Sequence, residues 1–193
     1  MKKGLIVLGA LVLAAIVFGG MYVGARNNMV RKNEAINAAW SGVDVVLQRR
    51  ADLVPNLVET VKGIAAHEET VFADVSNARA ALLGARTPGD RIAANAQLDG
   101  ALGRLLAVVE NYPQIKSNEN FLRLQDELAG TENRIAVERR RYNEAIQDYN
   151  TYIGLFPNSL FAGRAGFHRN DNYFKAPEAA RQAPKVEFPP AKR

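Results

Sequence analysis

Hydrophobic positions divide this chain into one unbroken apolar block followed by several striped segments. Between Gly4 and Ala25 there is no charged side chain, and charge returns at Arg26. A helix rising ~1.5 Å per residue over such a run crosses the ~30 Å hydrocarbon core of a bilayer. Gly4 and Leu5 open the run and Ile16 lies within it. Tyr22 and Ala25 lie toward its far end, where an aromatic ring suits the membrane interface. The competing reading is a cleavable signal peptide, with Lys2 and Lys3 as its basic leader and Val23-Gly24-Ala25 as a poor cleavage site. The run exceeds the usual ~7–15-residue apolar region of a signal peptide, which favours a retained anchor.

Beyond the anchor, apolar residues recur at three- and four-residue steps. Ile36, Trp40, Val43, Leu47, Leu53, Leu57, Val58, Val61 and Ile64 mark a helix over about 27–66. Pro55 inside it predicts a kink or short break near Asp52 to Pro55, because proline lacks an amide donor and crowds the preceding turn. Val71, Val75, Ala78 and Leu82 mark a second helix over about 68–83, closed by Gly84. Thr87-Pro88 caps and opens a third, which continues through Leu98, Leu102, Leu105, Leu106 and Val109 to Tyr112-Pro113. The fourth is capped by Ser117 and runs to Gly154, roughly 55 Å as a helix. Its seam repeats every seven residues at Phe121, Leu128, Ile135, Tyr142, Tyr149 and Phe156. Leu124, Thr131, Glu138, Ala145 and Tyr152 hold the intervening positions. A Tyr-Asn-x-x-Ile unit occurs at Tyr142 and again at Tyr149.

No segment alternates with period two, so the predicted fold is all-α: a single N-terminal transmembrane helix (1–25), then an elongated antiparallel bundle of about four helices (26–175), the first and last of them long. The residues after Ala176 are rich in proline, alanine and charge, and 176–193 reads as a disordered tail. Phe161, Phe167, Tyr173 and Phe174 interleave with Arg164, Arg169 and Lys175. That stretch suits either a membrane surface or a fold back over the end of the bundle.

The chain has 193 residues, a net charge of +5 and no cysteine. The mild basic balance suits a domain near anionic headgroups. Without cysteine, disulfides say nothing about compartment. Basic residues flank both ends of the apolar run almost equally. The short leader Lys2-Lys3 reads as a signal anchor, with the N-terminus cytoplasmic and the domain outside.

The block Ala39-Trp40-Ser41, Val43-Asp44, Arg49-Arg50, Asp52-Leu53-Val54-Pro55-Asn56-Leu57-Val58-Glu59 and His67-Glu68 resembles the signature of the LemA family. So does the run Tyr112-Pro113, Asn120-Phe121, Leu124, Leu128, Glu132-Asn133, Arg141-Tyr142-Asn143, Tyr149-Asn150 and Phe156-Pro157. The similarity covers about Arg26 to Phe167. One departure is the proline-rich tail after Lys175, which the family pattern does not define. The resemblance implies a bacterial membrane protein with one N-terminal anchor and a largely helical soluble domain. It implies no biochemical activity.

Enzyme chemistry is hard to place here. There is no phosphate-binding glycine loop, no H-E-x-x-H, no G-x-S-x-G and no dinucleotide fingerprint. Only His67 and His168 are available, and His67 reads as part of the turn between the first two helices. No catalytic residue, metal site or cofactor is therefore assigned. The unusual feature is polarity within apolar stripes. Asp44 follows Trp40 by one helical turn, Arg49, Arg50 and Asp52 crowd together, and Glu138 holds a seam position beside Glu132, Arg139 and Arg141. Trp40, Asp44, Arg50, Asp52, Glu132, Glu138 and Tyr142 are the candidate site. Its plainer reading is an internal network fixing helix register, with Trp40, Asp44 and Arg50 against the 132–142 stretch. The run Arg139-Arg140-Arg141 points in several directions around a helix, so no nucleic-acid patch is predicted.

These features favour a non-catalytic bundle on a single membrane pass in the bacterial inner membrane. It would bind or scaffold other envelope proteins, with lipid at the N-terminal helix. A ligand-sensing bundle built on the polar cluster around Asp44 and Glu138 is the alternative, as is a homo-oligomeric protein that organises the membrane.

Overall fold

A computed structural model of the protein describes residues 2–65 and 67–175. Among them there are helices and connecting turns and no strand. The first helix, α1, runs Lys2–Lys62, about 90 Å of continuous rod. It is followed by α2 (Glu69–Gly84), α3 (Pro88–Val109), the single turn α4 (Pro113–Lys116), the long α5 (Glu119–Gly154) and the short α6 (Asn158–Ala162). The tail expected over 176–193 lies outside the described residues.

The membrane segment and the first bundle helix are one element. The expected boundary after Ala25 falls inside α1 with no break in the helix. Its first part is exposed on every side, Leu5 to 72% and Ile16 to 66%, as a lipid-facing helix requires. Burial begins at Ala25 and Met29, where the domain closes around the rod. α1 is the one helix among the described residues long and apolar enough to cross a membrane.

The break expected at Pro55 does not occur; α1 continues through it. The physical reason comes from a neighbour. A proline at 55 leaves the carbonyl of Ala51 without its intrahelical donor. Arg79 of α2 supplies one: its Nε donates to Ala51 O at 2.7 Å.

α5 lies antiparallel along α1. Lys32 pairs with Asp148, Gly42 lies against Glu138 and Arg50 pairs with Glu132, so rising numbers on one helix meet falling numbers on the other. α2 and α3 form a hairpin, tied by Arg104 and Asp74, that packs on α1. The core is a ridge of Val43, Leu47, Val54, Leu57 and Val61 on α1 against Ile135, Tyr142 and Ile146 on α5, and Val75, Leu82, Leu98 and Leu105 on the hairpin.

Element ends follow local chemistry. Thr87 caps α3 as expected, accepting from Asp90 N, with Pro88 in the first turn. At α5 the cap is Asn118 rather than Ser117. Asn118 Oδ1 accepts from Asn120 N and Phe121 N, whereas the Ser117 hydroxyl donates back to the carbonyls of Pro113 and Gln114. α3 ends at Val109, earlier than Tyr112, and Pro113 opens α4 instead of only closing α3.

The seven-residue seam holds along α5 at Phe121, Ile135, Tyr142 and Tyr149, all buried, with Leu128 partly buried against the core. The intervening positions shift: Leu124 and Thr131 are buried, but beyond Tyr142 the burial passes from the Glu138, Ala145 and Tyr152 series to Ile146, Asn150 and Ile153. A straight helix drifts ~20° per heptad, so one flank of a fixed seven-residue stripe turns away from the buried face. Phe156, the last seam residue, lies beyond the helix end and is 80% exposed.

The aromatic stretch after α5 folds back on the bundle. Phe161, Phe167, Tyr173 and Phe174 all pack against the core. Two asparagines of α5, seven residues apart in the repeated Tyr-Asn units, hold its backbone. Asn143 donates to Phe174 O and accepts from Phe174 N, both at 2.9 Å. Asn150 donates to Asn170 O at 2.7 Å and accepts from Asn170 N at 2.9 Å. The Tyr149 hydroxyl donates to His168 O at 2.9 Å.

Candidate functional site

The buried charges of the domain meet where α1, α3 and α5 face one another. Arg50 is 8% exposed and stands at the centre. Its Nη1 donates to Glu132 Oε2 at 2.7 Å and to Asn95 Oδ1 at 3.4 Å. The same nitrogen lies 2.5 Å from Asp99 Oδ1, an ion contact without hydrogen-bond alignment. Arg139 completes the group, 3.7 Å from Asp99 and 3.9 Å from Glu132. Asn95, buried on α3, donates to Asp99 Oδ2 at 3.1 Å one turn on. Two guanidiniums thus face two carboxylates.

Burial pushes the Asp99 carboxyl above its usual range, and the nearby Glu132 charge adds to the rise. Arg50 and Arg139 oppose it without cancelling it. The side chain keeps 37% exposure, but its Oδ1 is enclosed. Arg50 Nε and Arg139 Nε are also enclosed with no hydrogen-bond partner among the described residues. Such a network bridges three helices at a cost in desolvation.

An apolar groove continues from this cluster between α3 and α5. Leu57 of α1, Leu102 and Leu106 of α3, and Leu128 and Ala129 of α5 line a cavity of about 240 Å³ that ends on Arg50 and Glu132. Past Leu106 and Gln125 it runs into a second hollow of about 280 Å³ beside Val109, Phe121 and Leu122.

The residues singled out from sequence do not form one site. Arg50 and Glu132 meet as described. Trp40 and Tyr142 meet edge to face, ring centres 5.2 Å apart, with Phe174 stacked on Trp40 at 6.3 Å. Burial raises the Tyr142 and Tyr149 hydroxyls above the ordinary tyrosine range. Asp44 does not face the 132–142 stretch as expected. It pairs with Arg91 of α3, because its side of α1 faces the hairpin. Asp52 is exposed and accepts from Gln48 on its own helix, at 2.9 Å, outside the network. Glu138 is bound by Arg141 one turn away at 2.8 Å, and its carboxylate lies over Gly42, where a Cβ would come within 2.7 Å of Oε2. The polar cluster expected around Asp44 and Glu138 is therefore two separate pairs.

Sequence reasoning missed Asn95, Asp99 and Arg91. A signal for the first two was present: Asn95 and Asp99 are one helical turn apart beside Leu98 and Leu102, on the stripe that marks the buried face of α3. Among the described residues, no three histidines, aspartates or glutamates are grouped to hold a metal ion.

Fold and site together define a class: a helical bundle continuous with one membrane helix, its helices bridged by a buried ion network beside an apolar groove. The chain belongs to the LemA family, whose model matches residues 39–188. That match runs past Lys175, so the family pattern does extend into the proline-rich tail. Relatives include the magnetosome protein MamQ 2 of Paramagnetospirillum magneticum, 31% identical over 86% of this chain and 71% of its own length. MamQ of Magnetospirillum gryphiswaldense is 29% identical over 89% and 73%. Protein LemA of Metamycoplasma hominis is 23% identical over 88% and 78%. The protein is membrane-associated, as its apolar helix and these relatives agree.

Proposed function

We propose that this protein is a non-catalytic, membrane-tethered scaffold that receives an amphipathic helix of another envelope protein between α3 and α5. The observation that carries this reading is the groove itself. It has leucine walls, charged residues Arg50 and Glu132 at one end, and a neighbouring hollow that shares Leu106 and Gln125 and carries Glu110 and Lys116. Its shape and lining suit a helix that lays apolar anchors along it and sets a polar group against the charged end. Tethering on α1 raises the local concentration of the groove for partners in the same membrane. The magnetosome relatives, named for a cellular structure rather than a reaction, fit such a role.

The test is a photo-crosslinking side chain at Leu106, in the groove, against one at Val45, exposed elsewhere on α1. The reading expects discrete adducts with membrane proteins from position 106, absent from position 45. They should be lost when Ala129→Arg fills the groove. Equal, diffuse labelling from both positions refutes it. Adducts of the chain with itself support the homo-oligomeric, membrane-organising reading instead. A ligand-sensing role draws on Arg50 Nε and Arg139 Nε, which have no hydrogen-bond partner among the described residues. It requires a ligand-dependent melting shift that Arg139→Met removes.

A further inference from the structure

The end of the bundle nearest the anchor carries a second apolar surface. Leu155, Phe156 and Leu160 are 57%, 80% and 60% exposed. Elsewhere on the domain, large exposed hydrophobics stand singly, as at Val45, Leu122 and Val137, which is ordinary for a protein surface. Three within six residues is a patch.

Its height along α1 is set by contacts. Near the end of α5, Tyr152 lies beside Lys32, whose Nζ is 5.3 Å from the ring centre. The chain then passes Leu155 and Phe156, and Phe161 of α6 meets Tyr22 edge to face at 5.5 Å. From Lys32 to Tyr22 along α1 is about 15 Å. Over that descent the chain passes the level of Arg26, where charge begins, and reaches the last turn of the apolar run. α6 packs on both α1 and α5, with Ala162 buried, so this descent is held by the fold. From Thr151 to Asn170 there is no acidic side chain, and exposed Arg164 and Arg169 follow α6. Apolar side chains with a basic rim, continuous with a lipid-facing helix, match the chemistry of the bilayer interface.

We propose that the turn from Leu155 through α6 is a membrane foot. Phe156 and Leu160 insert at the headgroup–acyl boundary beside the anchor, and Arg164 engages lipid phosphates. The bundle is then gripped at two points, and its tilt and rotation relative to the membrane are fixed. This rests on α1 crossing the bilayer.

The absence of native cysteine makes single labels clean. The full chain is reconstituted in vesicles of neutral and anionic phospholipid containing a lipid with a nitroxide just below its headgroup. An environment-sensitive fluorophore is attached at Ser159→Cys in α6, which leaves the inserting residues intact. Leu11→Cys in the anchor and Leu122→Cys near the start of α5 serve as references. The foot expects the labels at 159 and 11 both to lose most of their emission, with 122 unaffected. Adding Phe156→Glu and Leu160→Glu should return position 159 to the behaviour of 122 while position 11 stays quenched. If position 11 is quenched and position 159 behaves like 122, the foot is wrong and the anchor stands. If position 11 is also unquenched, the anchor reading falls and takes the foot with it.

Discussion

A helix that continues through an interior proline should depend on whatever replaces the missing hydrogen bond. In α1 that replacement is Arg79, whose Nε reaches Ala51 O at 2.7 Å from the neighbouring helix. Arg79→Met keeps the aliphatic stem and removes the donor. Ala51 is fully buried and Arg79 half-buried, so the abandoned carbonyl gains little water in exchange. Hydrogen bonds to charged groups contribute ~1.5–3 kcal/mol, and we take about 2 kcal/mol here. At ~2–4 °C per kcal/mol for a domain of this size, Tm should fall by about 4–8 °C. In a Pro55→Ala background the amide at 55 donates to Ala51 O itself. Arg79→Met should then cost well under ~1 kcal/mol, leaving a coupling of about 1.5–2 kcal/mol between positions 55 and 79. Pro55→Ala alone should raise Tm, since alanine is the better interior helix residue. Melting of the four proteins as full chains in detergent micelles, followed by helical ellipticity and by the emission of Trp40, the sole tryptophan, measures the cycle. Equal costs of Arg79→Met in both backgrounds would refute the compensation.

Two further outcomes follow from the site and the folded-back segment. Folding raises the Asp99 pKa above 3.8, so the folded state holds that proton more tightly, and this residue's contribution to stability falls as pH rises from 3.8 through the raised value. Asp99→Asn does not titrate there. Its Tm relative to the parent should climb across that window and level off above it, whereas a relative Tm that drops instead would show the Arg50 and Arg139 pairings outweighing burial. Asn143→Ala with Asn150→Ala removes both backbone clamps, at about 1 kcal/mol per hydrogen bond, and should release residues 168–174. Trp40 then loses Phe174 and its emission should shift to the red with amide exchange rising over that segment, and an unshifted spectrum would contradict the clamp.

Spacing within one segment decides the apolar block, the cap at Thr87 and the buried face of α2. It does not decide every end: Asn118 rather than Ser117 caps α5, and α3 closes at Val109. Local rules fail where two segments share a decision. Pro55 predicts a break by the local rule, but Arg79, distant in sequence, answers the carbonyl it orphans. Asp44 and Arg50 lie six residues apart on α1 and face different neighbours, Arg91 on one side and Glu132 on the other. Asn95 and Asp99 stand out as polar residues on the stripe of α3, but only the approach of Arg50 and Arg139 makes them part of a site.

What the sequence determines by itself is therefore the all-helical class, the apolar block and the main stripes of the longer helices, while the short α4 and α6 and the fusion of the apolar block with the first bundle helix escape it. The features it determines depend on hydrophobic periodicity and backbone donors within a few turns, which any reader of the chain can follow. The tertiary structure decided which charges meet, where a groove stays open between α3 and α5, and that the chain after α5 returns past Trp40 and Tyr22. Those depend on rotation and height of one helix against another. Such quantities are set by packing many side chains at once, and no single segment encodes them.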